Sequence, residues 1–143
     1  MTPQGFKTFI DVQVRFRDTD AMAHVNNAVY LSYLELARMR YWTELTGSRD
    51  YRGVDFILAR AEIDYRSPVT VDEEVRVWVR VCELRRSSFL FEYRLEEKGS
   101  GRLVAQAKTV QACYDYAARK VKRLDDPVRR AIAAREGLPA PAA

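Results

Sequence analysis

The chain is poor in the residues that most often mark a chemical class. It has one histidine, His24, and two cysteines, Cys82 and Cys113, 31 positions apart. Two such cysteines make no disulfide framework, and with a single histidine they lack the spacing of a zinc cage. No metal and no separate cofactor are expected. There is no G-x-S-x-G turn, and neither cysteine has a histidine neighbour in sequence, so no serine or cysteine nucleophile stands out. No apolar run approaches the ~20 residues of a membrane span. The opening Met-Thr-Pro-Gln-Gly-Phe-Lys lacks the apolar core of a secretory signal. A cytoplasmic protein with reduced thiols is expected. Blocks of one-signed charge are also missing. The net charge is +4, but basic and acidic residues are interleaved, and the densest basic stretch, 119–123, runs straight into two aspartates. That pattern reads as a solvated face, and next as a weak attraction for an anionic ligand. None of the usual modules for reading nucleic acid is present.

The 143 residues fit one domain, with an N-terminal to short-helix unit over 1–137 and a Pro/Ala-rich tail, 138–143, expected to fray. Residues 9–16 alternate, with Val12, Val14 and Phe16 opposite Asp11, Gln13 and Arg15, which predicts a half-buried strand. Residues 27–46 predict a helix. Tyr30, Tyr33, Leu34, Ala37, Tyr41 and Leu45 form one stripe, while Leu31, Leu36, Met39 and Trp42 lie off it. A helix apolar on several sides is expected to be enclosed on several sides. Asn27 is the candidate N-cap and Gly47 the stop. Four strands follow, over 56–65, 75–86, 88–96 and 103–116. In the first of them Ile57, Ala59, Ala61, Ile63 and Tyr65 share a face. Lys98–Gly101 reads as a hairpin loop. Asp126 and Pro127 read as N-cap and first residue of a short helix closed by Gly137. Strands joined by short turns, with one long buried helix, predict an α+β fold with an antiparallel sheet.

Polar residues concentrate between the first strand and the long helix. Asp18, Asp20, His24, Asn26 and Asn27 fall within eleven positions, Arg17 to Asn27. A helix N-terminus presents unpaired N–H groups and a partial positive charge, so it can hold an anion or a developing oxyanion. A carboxylate beside it can attack a polarised carbonyl or activate a water that does so. Ester or thioester chemistry would need no metal and no triad there. The same residue types are also ordinary turn and cap formers, and the two readings are close to balanced on spacing alone.

The stretch Phe16-Arg-Asp-Thr-Asp20-x-x-x-His24-Val-Asn-Asn27-Ala-x-Tyr30-x-x-Tyr33-x-Glu35-x-Ala-Arg38 resembles the opening of the 4-hydroxybenzoyl-CoA thioesterase-like family of hotdog-fold acyl-CoA thioesterases. Ile63-Asp-Tyr65-Arg-x-Pro68, Asp72-Glu-x-Val75 and Arg86-Ser-Ser-Phe89-x-Phe91-x-Tyr93 follow in the order of that family. The resemblance runs from about residue 10 to about residue 116. It implies a hotdog fold, with a five-stranded antiparallel sheet wrapped around one long central helix and a short C-terminal helix. It also implies a homodimer, or a homotetramer built from such dimers, with sites at the subunit interface. Acyl-CoA is the substrate it implies, hydrolysed to free acid and CoA.

In that resemblance Asp20 is the catalytic carboxylate, as nucleophile or as base for water. Asn27 is the residue whose backbone N–H polarises the thioester carbonyl, and His24 and Asn26 stand near the reaction centre. Tyr30 is a candidate for lining the acyl site; Arg66, Arg86, Ser87 and Ser88 are candidates for the CoA arm. Glu35 lies about 140° around the helix from Tyr30 and is expected to pair with Arg38 or Arg40. Met22 departs from the plant-type acyl carrier protein thioesterases, which carry asparagine there. Competing readings on the same fold are a hydratase or dehydratase, and a module that binds acyl-CoA without turnover.

Overall fold

A computed structural model describes residues 2–50 and 55–140. Strand β1 (Thr8–Gln13) leads through a one-turn 3-10 helix (Phe16–Asp18) to α1 (Val29–Thr46). Then come β2 (Phe56–Tyr65), β3 (Glu74–Leu84), β4 (Ser88–Glu97), β5 (Leu103–Asp115), a two-residue β6 (Lys120–Val121) and α2 (Asp126–Glu136). The strands form one antiparallel sheet in the order β1-β3-β4-β5-β2, with β6 paired to β5. The sheet therefore has six strands rather than the expected five. The sixth is a short return of the chain after Asp115, too brief to leave a pattern in sequence. No helix among the described residues is long and apolar enough to cross a membrane.

One face of the sheet carries the core. Val75, Val77, Val79 and Val81 of β3 lie beside Phe89, Phe91, Tyr93 and Leu95 of β4, and all eight are buried. α1 lays Tyr30, Tyr33, Leu34, Ala37, Tyr41 and Trp42 over this floor, packing mainly on β1 and β3. Gly47 ends α1 at φ 73°, a left-handed cap that costs glycine little. At the far end Glu136 accepts hydrogen bonds from the Tyr41 hydroxyl and the Val81 N–H, both at 2.9 Å, and so ties α2 to α1 and β3. Leu138 packs against the core beyond α2, and the end of the tail, 141–143, lies outside the described residues.

Five local expectations are corrected. Asp126 is not the N-cap of α2 but its first residue, and Asp125, in extended conformation, takes the cap position. Phe16 does not continue β1: the strand stops at Gln13, and the 3-10 turn leaves the Phe16 ring 84% exposed. Asn27 is not the N-cap. Ala28 occupies that position, and the Asn26 side chain accepts from the Ala28 N–H at 3.0 Å. The shared face of β2 is broken by a bulge between Leu58 and Arg60. Leu58 and Ala61 lie opposite Gln111 and Thr109, so the core-side set is Phe56, Leu58, Ala61, Ile63 and Tyr65. Finally, α1 is not enclosed on several sides within one chain. Leu31, Leu36 and Met39 are exposed, because the helix rests mainly on β1 and β3 and leaves the middle of the edge strand β2 uncovered.

Candidate active site

The polar stretch before α1 folds into a small, tightly tied loop. Asp20 N–H donates to the His24 carbonyl at 2.7 Å, and Ala23 N–H donates to the Asp20 carbonyl at 3.0 Å. Asp20 Oδ1 accepts from the N–H groups of Met22 (2.8 Å) and His24 (3.2 Å). Thr19 bridges Val25 at the base, and His24 bridges Thr70, just before β3. Ala23 sits at φ 61°, a conformation that non-glycine residues avoid at a cost of about 1–2 kcal/mol. The surrounding hydrogen bonds hold it there, which places local strain beside the candidate carboxylate. Asp20 itself is exposed, and its Oδ2 bonds to no described residue.

The loop is anchored from beneath by Asp18, which is only 2% exposed. Its carboxylate accepts from the Arg15 backbone N–H (3.0 Å), the Arg15 guanidinium (3.0 Å) and the Tyr33 hydroxyl of α1 (2.9 Å). Its carbonyl accepts from Asn26 N–H at 2.8 Å. Burial pushes the Asp18 carboxyl up, but the hydrogen bonds from Arg15 and Tyr33 outweigh it, so its pKa lies below the usual 3.8. Burial, and the Asp18 carboxylate beside it, raise the Tyr33 hydroxyl, which stays a proton donor to Asp18 at all ordinary pH.

The depressed Asp18 pKa has a sign for stability. Its contribution is complete well above pH 3.8 and is lost as pH falls through the lower folded value. Asp18→Asn removes that charge. Urea midpoints taken from about pH 5 down to about pH 2 are expected to separate wild type from variant at the upper end and to converge at the lower. A gap that widens on acidification would contradict the assignment.

The start of α1 completes the site. Asn26 N–H, carbonyl and side chain are all used in the turn, so this residue shapes the loop. The Asn27 N–H donates to no described residue, and the residue is exposed. The Asn27 carbonyl is held by the Tyr65 hydroxyl of β2 at 2.9 Å, and the Tyr65 ring stands edge-on to Tyr30 at 5.1 Å. Tyr30 is buried and braces the helix start rather than opening onto it. His24 is half-buried and contributes its backbone to the loop.

The remaining candidates are distributed. Arg66 follows Tyr65 at the same end of the sheet, with its guanidinium 3.4 Å from Gln106 Oε1. Arg86, Ser87 and Ser88 form the β3–β4 turn at the opposite end, beyond the eleven residues of β3, which span about 36 Å. Within one chain the structure does not bring these three to Asp20. Their carbonyls are spent on the fold: Arg86 on Leu124 N–H, Ser87 on Cys113 N–H and Ser88 on Arg85 N–H. Glu35 forms no ion pair with Arg38 or Arg40 among the described residues. Arg38 instead turns inward and donates to the Tyr93 hydroxyl at 3.1 Å. The thiols are poor nucleophiles, since burial raises Cys82 and pushes Cys113 up to about 11.

Asp18, Tyr33 and Tyr65 hold the candidate site in shape, and the residue pattern ranked none of them for that part. Asp18 is present in the motif, but nothing in its spacing ranks it as the buried aspartate and Asp20 as the exposed one. Tyr65 reads as one more alternating strand residue.

The sequence and the fold match those of known proteins. The family model described as the thioesterase-like superfamily matches residues 14–132. The acyl-CoA thioesterase YbgC of Haemophilus influenzae is 28% identical over 136 residues, covering 92% of this chain and 97% of that protein. The long-chain acyl-CoA thioesterase FadM of Escherichia coli is 26% identical over 126 residues, covering 85% of this chain and 93% of that one. A thioesterase of Thermus thermophilus, crystallised with coenzyme A and zinc, is 38% identical. It superimposes with a TM-score of 0.85 over 96% of this chain and 99% of its own. A family model over most of the chain, relatives named as acyl-CoA thioesterases and a solved thioesterase that superimposes over nearly its whole length agree: the chain is a hotdog-fold thioester hydrolase and belongs to the thioesterase-like superfamily.

Proposed function

We propose that the protein hydrolyses acyl-CoA thioesters to the free acid and CoA, with Asp20 as its catalytic carboxylate. The observation that carries this is the pairing of an exposed Asp20 with the unpartnered Asn27 N–H at the start of α1. The N–H, aided by the helix dipole, holds the thioester oxygen as negative charge develops on it. Asp20 either takes a proton from the attacking water or attacks the carbonyl itself and is released by water. Both routes expel CoA as its thiolate, which picks up a proton, and both leave the acyl group as a carboxylic acid. Oδ1 is tied into the loop, so Oδ2 is the oxygen that does this work.

The active form in this reading is a homodimer acting in the cytoplasm. β2 is an edge strand of ten residues with no proline, and it carries the exposed side chains Leu58 and Tyr65. Such an edge is a template for a second copy of itself. Pairing β2 antiparallel with its counterpart about its middle would cover the exposed middle of that strand and the exposed side of α1. It would also set the Arg86–Ser88 turn of one copy at the same end of the joined sheet as the Asp20 loop of the other. That placement gives Arg86, Ser87 and Ser88, with Arg66, their role on the CoA arm. The free thiols Cys82 and Cys113 suit a reducing compartment.

Thiol release measured over a panel of aliphatic and aromatic acyl-CoA substrates tests the activity. Saturable turnover of at least one is expected, with the protein sedimenting at twice the chain mass or a multiple of it. Absence of thiol release across the panel would sink the activity; a monomer in sedimentation would sink the assembly.

A further inference from the structure

The loop that carries Asp20 needs support from outside itself. Ala23 stands in the left-handed region at φ 61°, and such a residue persists only where its surroundings hold it. Asp18 anchors the loop from below. From the side, support comes from a strip of chain, 67–70, between β2 and β3. Val25 N–H donates to the Val69 carbonyl at 2.8 Å, and His24 forms an antiparallel bridge to Thr70. The strip lies outside every strand. Its near end is pinned by the Arg66 and Ser67 N–H groups, which donate to the Val104 carbonyl at 2.8 and 3.1 Å. The rest is pinned mainly by two side chains. Arg102, just before β5, donates from Nε to Ser67 Oγ at 3.1 Å and from Nη2 to the Pro68 carbonyl at 2.9 Å. Its Nη1 donates to Glu73 Oε2 at 3.1 Å. Glu73 Oε1 accepts from the Thr70 N–H at 3.0 Å and the Thr70 hydroxyl at 3.3 Å. The hydrogen bond from Arg102 holds the Glu73 carboxyl below its usual 4.5, so the pair stays charged at ordinary pH. Arg102 is itself fixed at the backbone, where its carbonyl accepts from Glu97 N–H at 2.8 Å across the hairpin.

We infer that Arg102 and Glu73 are positioning residues for the hydrolysis: the pair sets the 67–70 strip, and the strip sets the loop that carries Asp20. This rests on Asp20 as the catalytic carboxylate and not on the dimer. The Arg102 side chain is 41% exposed and that of Glu73 24%, and an ion pair at such exposure contributes little to stability. What it supplies is geometry. One planar guanidinium reaches Ser67, Pro68 and Glu73 at once, which a lysine ammonium does not reproduce. The path to the carboxylate is short. Arg102 binds Glu73, Glu73 binds Thr70, Thr70 bridges His24, and the His24 carbonyl holds the Asp20 N–H at 2.7 Å. The His24 N–H in turn donates to Asp20 Oδ1 at 3.2 Å, so a shift of the strip turns the carboxylate. A misplacement of about 1 Å at a reacting group costs up to about 10²-fold in rate. Neither side chain bonds to Asp20 or Asn27, so the pair acts on the rate of the bound substrate rather than on its binding.

Arg102→Met is expected to lower kcat for acyl-CoA hydrolysis by about tenfold, with KM within about twofold of wild type. Its thermal midpoint is expected to fall by about 3 °C or less. Glu73→Gln still offers an oxygen to Thr70 but no charge to Arg102. It is expected to show the same split, and the double variant to match the slower single one within about twofold. In the Asp20→Asn protein, adding Arg102→Met is expected to change kcat by less than about twofold, because the carboxylate it places is already gone. A raised KM with kcat unchanged would make Arg102 a substrate contact and overturn the inference. So would a kcat loss undiminished in Asp20→Asn, or wild-type kcat in both single variants. If wild type hydrolyses no thioester, or Asp20→Asn works as fast as wild type, the catalytic reading fails instead. The pair is then judged by amide hydrogen exchange in Arg102→Met. Exchange about tenfold faster at the Asp20 and Val25 N–H groups, with the β4 amides unchanged, supports its hold on the loop, and unchanged exchange at both rejects it.

Discussion

Asp20→Asn is expected to lower kcat/KM for thioester hydrolysis by about 10²–10⁴-fold, the range over which a positioned acid–base group acts. Asparagine is a sharper choice than alanine. Its side-chain oxygen can still accept from Met22 and His24, as Oδ1 does now, so the loop keeps its shape while the negative charge is gone. Asp20 is exposed, and unfolding free energy is expected to stay within about 0.5 kcal/mol of wild type. Asp20→Ala loses the charge and the loop acceptor together, and separates the two contributions by comparison. Wild-type-like thiol release from Asp20→Asn would remove Asp20 from the mechanism and leave it the loop-closing role that its Oδ1 already plays.

The largest effect on stability is expected from Phe91→Ala. Phe91 is fully buried at the centre of β4, with the rings of Tyr41 at 5.2 Å, Phe89 at 5.5 Å, Trp42 at 5.9 Å and Tyr93 at 6.0 Å. Three of these contacts are edge-to-face, the arrangement that adds to simple burial. Phenylalanine-to-alanine changes in such cores cost about 3–5 kcal/mol. For a chain of this size the thermal midpoint should fall by about 10–15 °C. Wild type and variant must be compared at equal protein concentration, because a dimer's midpoint depends on it. A midpoint within about 2 °C of wild type would mean that the aromatic cluster repacks around the gap.

Most of the architecture was legible along the chain because it rests on local periodicity. Tyr30, Tyr33, Leu34, Ala37 and Tyr41 recur at helical spacing, and all five are buried on one side of α1. Val75 to Val81 and Phe89 to Leu95 alternate, and their apolar members line one face of the sheet. Lys98–Gly101 turns where turn residues cluster. The departures come where a neighbour overrides the local pattern. The bulge in β2 follows its pairing with β5, and nothing in Leu58-Ala-Arg60 announces it. Phe16 looks like the next strand residue, but the backbone has already turned to bring Asp18 beneath the loop. Glu35 looks like half of a helical ion pair, yet Arg38 is drawn into the interior by Tyr93, a residue 55 positions away.

The site divides in the same way. Its chemical inventory can be read straight along the chain: carboxylates and amides before a helix, two scattered thiols and one histidine, which leave carboxylates, amides and backbone groups as the main chemical means. The family can be read there too, through a motif whose residues are contiguous. Which aspartate is which depends on the folded chain. Asp18 and Asp20 are two residues apart and alike in chemistry, but the Tyr33 hydroxyl captures the first, 15 positions away, and leaves the second at the surface. Folding likewise lets Tyr65 hold the helix start across 38 positions. Periodicity reports which way a residue points within its own element. What it meets there depends on strand order, register and a single bulge, and those are set by contacts between distant parts of the chain.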